Sequence, residues 1–271
     1  MTFTLVNECY TSKVAAQKTS YLMLAFAITP ALSVALGGFL NAYLGWMSCF
    51  YASAIYGIIV LVQVMQLPET QKTKDLNALK WEHLIDAYKN QFKNIRLVIG
   101  GLLMGACTSF IYIFAALAPF IAINLFKISS DQYGLYNGIP PIGLVLGSLV
   151  SAQLSKKYSL SFSLGIGITV TSLGCVWMLV TLLMNANILL SLFLPMTLIY
   201  FGLCFIMANA SVMAMERTQD KSHGAAVMGF INMGLAVFCV SGLSYFTINS
   251  AMLPECYLIL CAFMLVLWRL P

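Results

Sequence analysis

Apolar side chains run along this chain in stretches of about 20 or more residues, broken by short polar turns. Eight such stretches lie near residues 20 to 40, 46 to 67, 97 to 124, 132 to 154, 161 to 184, 188 to 214, 224 to 247 and 251 to 270. A helix of about 20 residues crosses roughly 30 Å of hydrocarbon, so the pattern predicts an all-α membrane protein with eight spans. Barrel strands need only about ten residues of alternating character. The stretches here are too long and too uniformly apolar for that architecture. Asn41 to Gly45 and Asn185 to Asn187 are short enough to force antiparallel helical hairpins. One connection is long, from 68 to 96. In it Leu76, Leu79, Leu84, Ile85, Tyr88 and Phe92 recur at helical spacing, with Lys80, Glu82, Asp86, Lys89 and Lys93 between them. This predicts an amphipathic helix on the inner membrane surface, the alternative being a solvated linker. The organisation expected is therefore two spans in 1–67, a linker at 68–96, and six spans in 97–271.

Proline adds to this picture. Pro30, Pro119, Pro140, Pro141 and Pro195 fall inside the first, third, fourth and sixth stretches. A proline in hydrocarbon leaves a carbonyl that neighbouring helices or polar groups must satisfy, so these spans are expected in the bundle interior and the unbroken ones toward lipid. Three G-x-x-x-G patterns, Gly101 to Gly105, Gly134 to Gly138 and Gly143 to Gly147, are expected to let helices approach closely.

Composition agrees: 61% of residues are hydrophobic and only 8% charged, where a soluble domain carries about 25%. The net charge of +5 does not mark a nucleic-acid surface. Its basic residues lie between spans and sort by side. Thirteen of the 14 (Lys13, Lys18, Lys72, Lys74, Lys80, Lys89, Lys93, Arg96, Lys156, Lys157, Arg217, Lys221 and Arg269) fall on one face and Lys127 alone on the other. The positive-inside rule then puts both termini in the cytoplasm. Residues 1 to 18 lack the apolar core of a cleavable signal. The eight cysteines have no C-x-x-C pair and read as unpaired buried thiols.

The inventory of reactive groups argues against an enzyme. His83 and His223 sit in or beside polar connections, with no H-E-x-x-H, and neither a G-x-S-x-G elbow nor a Walker loop occurs. No catalytic residue, metal ligand or cofactor site is therefore expected. No ionisable group sits at mid-depth, since Asp131, Glu216 and Glu255 lie at span ends. Asp131 fits a helix start, because Ser129 and Gln132 have capping-box spacing. Uncharged groups remain. Tyr112, Tyr136, Asn137, Asn209, Phe230, Asn232 and Met233 are candidates for lining a substrate cavity, and interhelix glue or lipid-facing packing is the other reading of each.

The first two spans read Thr29-Pro30-Ala31-Leu32-Ser33-Val34-Ala35-Leu36-Gly37-Gly38, then Leu44-Gly45-Trp46, Phe50 and Leu67-Pro68-Glu69-Thr70. This resembles helices five and six of major facilitator superfamily drug:proton antiporters, most closely the Bcr/CflA multidrug efflux branch. Thr29, Pro30, Gly37 and Gly38 stand for that family's gating antiporter motif. The branch's second proline is Val34 here, and Thr29 replaces a smaller residue. Further along, Tyr112 through Pro119-Phe120-Ile121, Tyr133-Gly134, Gly147-Ser148 through Lys156-Lys157-Tyr158, Ala208-Asn209-Ala210 and His223-Gly224-Ala225-Ala226 with Gly229 resemble helices seven to eleven in order.

The resemblance implies eight of twelve transmembrane helices: the last two of an N-terminal bundle and a complete six-helix C-terminal bundle. It implies a transporter of the bacterial inner membrane that exports small, mostly apolar or cationic drug-like compounds by proton antiport in its complete form. Membrane lipids are implied partners and nucleic acid is not. A separately encoded N-terminal part stays open as a partner. So do a non-transporting remnant, a subunit of a split transporter, and a facilitative uniporter.

Overall fold

The structure is a computed structural model, and it describes residues 29, 32–33, 36–37, 39–40, 43–66, 81–154, 157–184, 186–216, 218, 221–243, 245 and 251–269. The chain divides into two compact units, Met1–Ala78 and Leu79–Pro271. Among the described residues every regular element is helical, and seven helices are long and apolar enough to cross a membrane. The protein is accordingly an integral membrane protein of the all-α class.

In the first unit, α1 spans Met47–Met65 and buries no residue. A helix apolar on every side is built for lipid or for a covering of other protein. The predicted span at 20 to 40 lies mostly outside the described residues, but each described position in it, from Thr29 to Leu40, is helical. The turn between the two relies on Gly45, whose φ of +80° suits glycine. Ser48 Oγ donates to the Leu40 carbonyl at 3.0 Å, and Cys49 Sγ to the Gly37 carbonyl at 3.5 Å. These contacts tie the helical stretch before the turn to the start of α1 as the predicted hairpin.

The second unit opens with α2 (Trp81–Phe92), followed by α3 (Ile95–Pro119), α4 (Ser130–Asn137), α5 (Pro140–Leu154), α6 (Leu160–Leu183), α7 (Leu194–Met215), α8 (Lys221–Leu243) and α9 (Met252–Arg269). Asn94 starts α3 by accepting from the Leu97 N–H. The prolines act where expected. Pro119 brings no N–H to α3, and the next six residues, Phe120–Leu125, wind as a wider π-helix. A second π stretch, Leu189–Phe193, leads into α7 just before Pro195. The fourth span is broken at Gly138–Ile139, and Pro140 restarts it as α5, a position where its missing N–H costs nothing. Ser129 and Gln132 form the predicted capping box at the start of α4.

α3 and α7 are the buried centre. α7 packs against α3, α5 and α6, and α3 also packs against α8 and α9, while α6 and α9 pair with each other. Tyr257 of α9 is fully buried, with its ring 4.4 Å from Phe110 of α3 and its Oη donating to the Phe110 carbonyl at 2.8 Å. Where no water can compete, such a bond holds two helices together. The expectation that proline-broken spans lie inside is met by the third and sixth. The fourth departs from it: α5 is largely exposed, because its break falls near one end and only its glycine face touches α7.

The three glycine pairs differ. A Cβ on Gly143 would fall on the Thr197 carbonyl, and one on Gly147 would stand 2.5 Å from the Phe201 carbonyl oxygen, so α5 and α7 meet backbone to backbone. Gly101 and Gly105 receive Ile231 and Leu235 of α8. Gly134 has nothing within 4 Å, and Gly138 meets only its own Leu135 carbonyl. That third pair makes no close approach, correcting the expectation from spacing: it sits in the short, exposed α4 before the break.

The amphipathic helix exists from Trp81, and the predicted Leu76 and Leu79 lie outside the described residues. Its aromatic side rests on the start of α8. Tyr88 meets His223 with ring centroids 5.4 Å apart, and Phe92 meets Phe230 at 6.4 Å, both edge to face. Ile85, Tyr88 and Phe92 remain exposed on this helix.

Candidate substrate groove

The exposed sides of α3 and α8 enclose an open groove of about 410 Å³, lined by Tyr112, Ala115, Ala116, Ala236, Val237, Val240 and Ser241. Its depth comes from small side chains. Ala115, Ala116 and Ala236 leave room where longer residues would close the gap, while Gly101 and Gly105 draw the two helices together about two to three turns before Tyr112. Tyr112 stands at one end with its Oη 4.0 Å from the Met233 sulfur. Among the described residues none that lines the groove is charged, so they offer aromatic, small apolar and hydroxyl surface to a ligand, with the Met233 thioether beside Tyr112.

One of the residues proposed from sequence, Tyr112, lines this groove, and three others lie nearby on α8. Tyr112 borders the groove, Met233 touches Tyr112, and Asn232 lies one turn before Ala236 with its backbone against Gly105. The Asn232 Oδ1 is buried and accepts no hydrogen bond. Phe230 continues the same exposed side of α8 and is held by Phe92 of α2. The others lie elsewhere. Tyr136 packs on Phe193 at 5.6 Å, within an aromatic cluster that includes Tyr133, Phe114 and Tyr200, and Asn137 is the last residue of the same helix. Asn209 is 2% exposed in the core, its Nδ2 donating to the Phe205 carbonyl at 2.7 Å. In the first unit Thr29 is helical and exposed and Gly37 accepts from Cys49, whereas Pro30 and Gly38 lie outside the described residues.

Sequence reasoning missed the groove's alanines and valines. Apolar residues in an apolar helix carry no pattern of their own, and only the adjacent Ala115-Ala116 pair hinted at a hollow. Among the described residues no three His, Cys, Asp or Glu side chains gather as a metal site would require. Glu216 and Glu255 are exposed at helix ends, and neither is among the residues lining the groove.

A family model for the major facilitator superfamily matches residues 1–243. The chain belongs to that superfamily. Its membership accords with the helical bundle, the apolar spans and the absence of catalytic machinery in the sequence, since major facilitator proteins are membrane transporters, not enzymes. Three relatives are similar at low identity. The chloramphenicol resistance protein CraA of Acinetobacter baumannii is 26% identical over 175 residues, 65% of this chain and 42% of the relative. A bicyclomycin resistance protein homolog of Haemophilus influenzae is 21% identical over 82% of this chain and 56% of the relative. The multidrug transporter MdfA of Yersinia pestis is 25% identical over 85% of this chain and 57% of the relative. The chain thus spans about half the length of the curated relatives it matches.

Proposed function

We propose that this major facilitator chain forms part of the wall of a multidrug efflux transporter, and that the groove between α3 and α8 is the part that holds substrate. The observation carrying the proposal is the groove itself: an open, uncharged hollow on the exposed face of the two helices that also bear Tyr112, Asn232 and Met233. A surface of aromatic, methionine and small side chains accommodates varied apolar compounds, because no fixed charge or rigid donor set demands one shape. The drug-resistance names of the relatives support the same reading.

In this reading the chain comprises two helices of one bundle in 1–67, a linker with an interfacial helix in 68–96, and a six-helix bundle in 97–271. The basic connections and both termini face the cytoplasm across a bacterial inner membrane. The antiporter-like segment Thr29, Pro30, Gly37 and Gly38 acts in gating. The working transporter exports small apolar or cationic drug-like compounds in exchange for protons. None of the described residues lining the groove is a carboxylate, so in this reading a proton-carrying residue and the facing wall come from other residues of the same protein or from a separately encoded part. The 271 residues alone are then expected to show no proton-coupled efflux. Fluorescent dye uptake into inverted vesicles tests this. Uptake that needs a four-helix N-terminal part expressed alongside, and that stops with an uncoupler, agrees with the proposal. Uncoupler-sensitive uptake by the 271 residues alone contradicts it.

A further inference from the structure

A second groove, of about 330 Å³, lies between α6 and α9, on the opposite side of α3 and α7 in packing order from the substrate groove. Phe162, Gly165, Ile166, Thr169, Val170 and Trp268 line it. Trp268 is fixed: its Nε1 donates to both the carbonyl and the Oγ of Ser161 at 3.1 Å. Gly165 opens the hollow beside the indole, since a Cβ there would stand 2.9 Å from the Trp268 ring. From Phe162 to Val170 the groove follows α6 for eight residues, about 12 Å at helical rise. That is most of one leaflet, about 15 Å from interface to midplane.

The mouth is chemically distinct from the groove. Lys157 lies in the turn before α6, four residues from Ser161, and Arg269 directly follows Trp268 at the end of α9; both are exposed. Tyr158 stacks on Phe162 with centroids 5.0 Å apart. Two exposed basic residues thus adjoin in sequence the residues at one end of the slot, beside two aromatic rings, and basic residues at such a level attract anionic headgroups. We infer that the α6–α9 groove binds one anionic glycerophospholipid, an acyl chain in the slot and the phosphate between Lys157 and Arg269. The ligand is a lipid and not a free phosphate, because the slot presents apolar side chains for most of a leaflet's depth and only its rim is charged. This inference needs only the membrane location of the chain and is independent of the proposed efflux activity.

Native mass spectrometry of the full chain in detergent, titrated with phosphatidylglycerol or phosphatidylcholine of identical acyl chains, tests it. Phosphatidylglycerol is expected to be retained in preference, and the surface double variant Lys157→Gln/Arg269→Gln to lose about tenfold of that preference. Thr169→Trp fills the slot from an exposed position and is expected to expel the lipid while leaving the melting temperature in lipid-free detergent unchanged. Equal retention of the two lipids, an unchanged preference in the double variant, or full retention in Thr169→Trp would each overturn the inference. So would displacement of the lipid by free glycerol phosphate, which would place recognition in the headgroup alone.

Discussion

Two glycines in similar sequence settings are expected to respond oppositely to the same methyl group. At Gly147 the added Cβ would stand 2.5 Å from the Phe201 carbonyl oxygen, 2.9 Å from its Cα and 3.0 Å from its carbonyl carbon. These are backbone atoms and cannot swing away. To restore ordinary contact α5 and α7 must separate by roughly 1 Å, and a gap of that size forfeits about a quarter to a half of each neighbouring dispersion contact. Overpacking of this kind costs about 1–3 kcal/mol. Gly134 has nothing within 4 Å, so Gly134→Ala adds no clash and removes backbone freedom from the unfolded chain, a gain of about 0.4–1 kcal/mol. Unfolding of the purified full chain in mixed micelles, followed by circular dichroism against denaturing detergent, measures both. The expected result is a lower midpoint for Gly147→Ala and an equal or higher one for Gly134→Ala. Equal losses at the two sites, or no loss at Gly147, would refute the packing argument.

Other outcomes follow from the same contacts. Tyr257→Phe removes the hydrogen bond to the Phe110 carbonyl while keeping the ring, and the same unfolding assay should show a loss of about 0.6–1.7 kcal/mol. Asn232→Leu replaces a buried acceptor that has no partner, so stability should stay within about 0.5 kcal/mol of the parent or rise; a loss above about 1 kcal/mol would mean the amide ties helices together. Tyr112→Ala strips one end of the α3–α8 groove, and binding of a neutral aromatic dye, read by fluorescence anisotropy in detergent, should weaken about tenfold with the fold intact.

The spans were legible because apolar length is a direct consequence of bilayer thickness. Each described span in the second unit begins and ends within a few residues of its predicted limits, and the Ser129–Gln132 box sits where its spacing placed it. Proline positions also translated into structure, as π-helical turns beside Pro119 and Pro195 and a restart at Pro140. What the sequence hid is which surface faces which. Gly134 to Gly138 and Gly143 to Gly147 share one spacing, yet only the second meets another helix, because Gly134 sits in the short, exposed α4 before the break. Among the candidate site residues, Tyr112, Asn232 and Met233 converge through the Gly101–Gly105 contact between α3 and α8, whereas Asn209 turned inward to the core. A polar residue in an apolar helix announces that it needs a partner. It does not announce whether that partner is a carbonyl or a ligand.

The direct measurement of the central claim is photolabelling of the membrane-embedded chain with a neutral aromatic compound carrying a diazirine, followed by peptide mapping. Label concentrated on residues 112–116 and 233–241, and suppressed by Val237→Trp, is the predicted result. Label spread over α6 and α9 to the same extent, or unchanged in Val237→Trp, would contradict the assignment of the α3–α8 groove as the substrate surface.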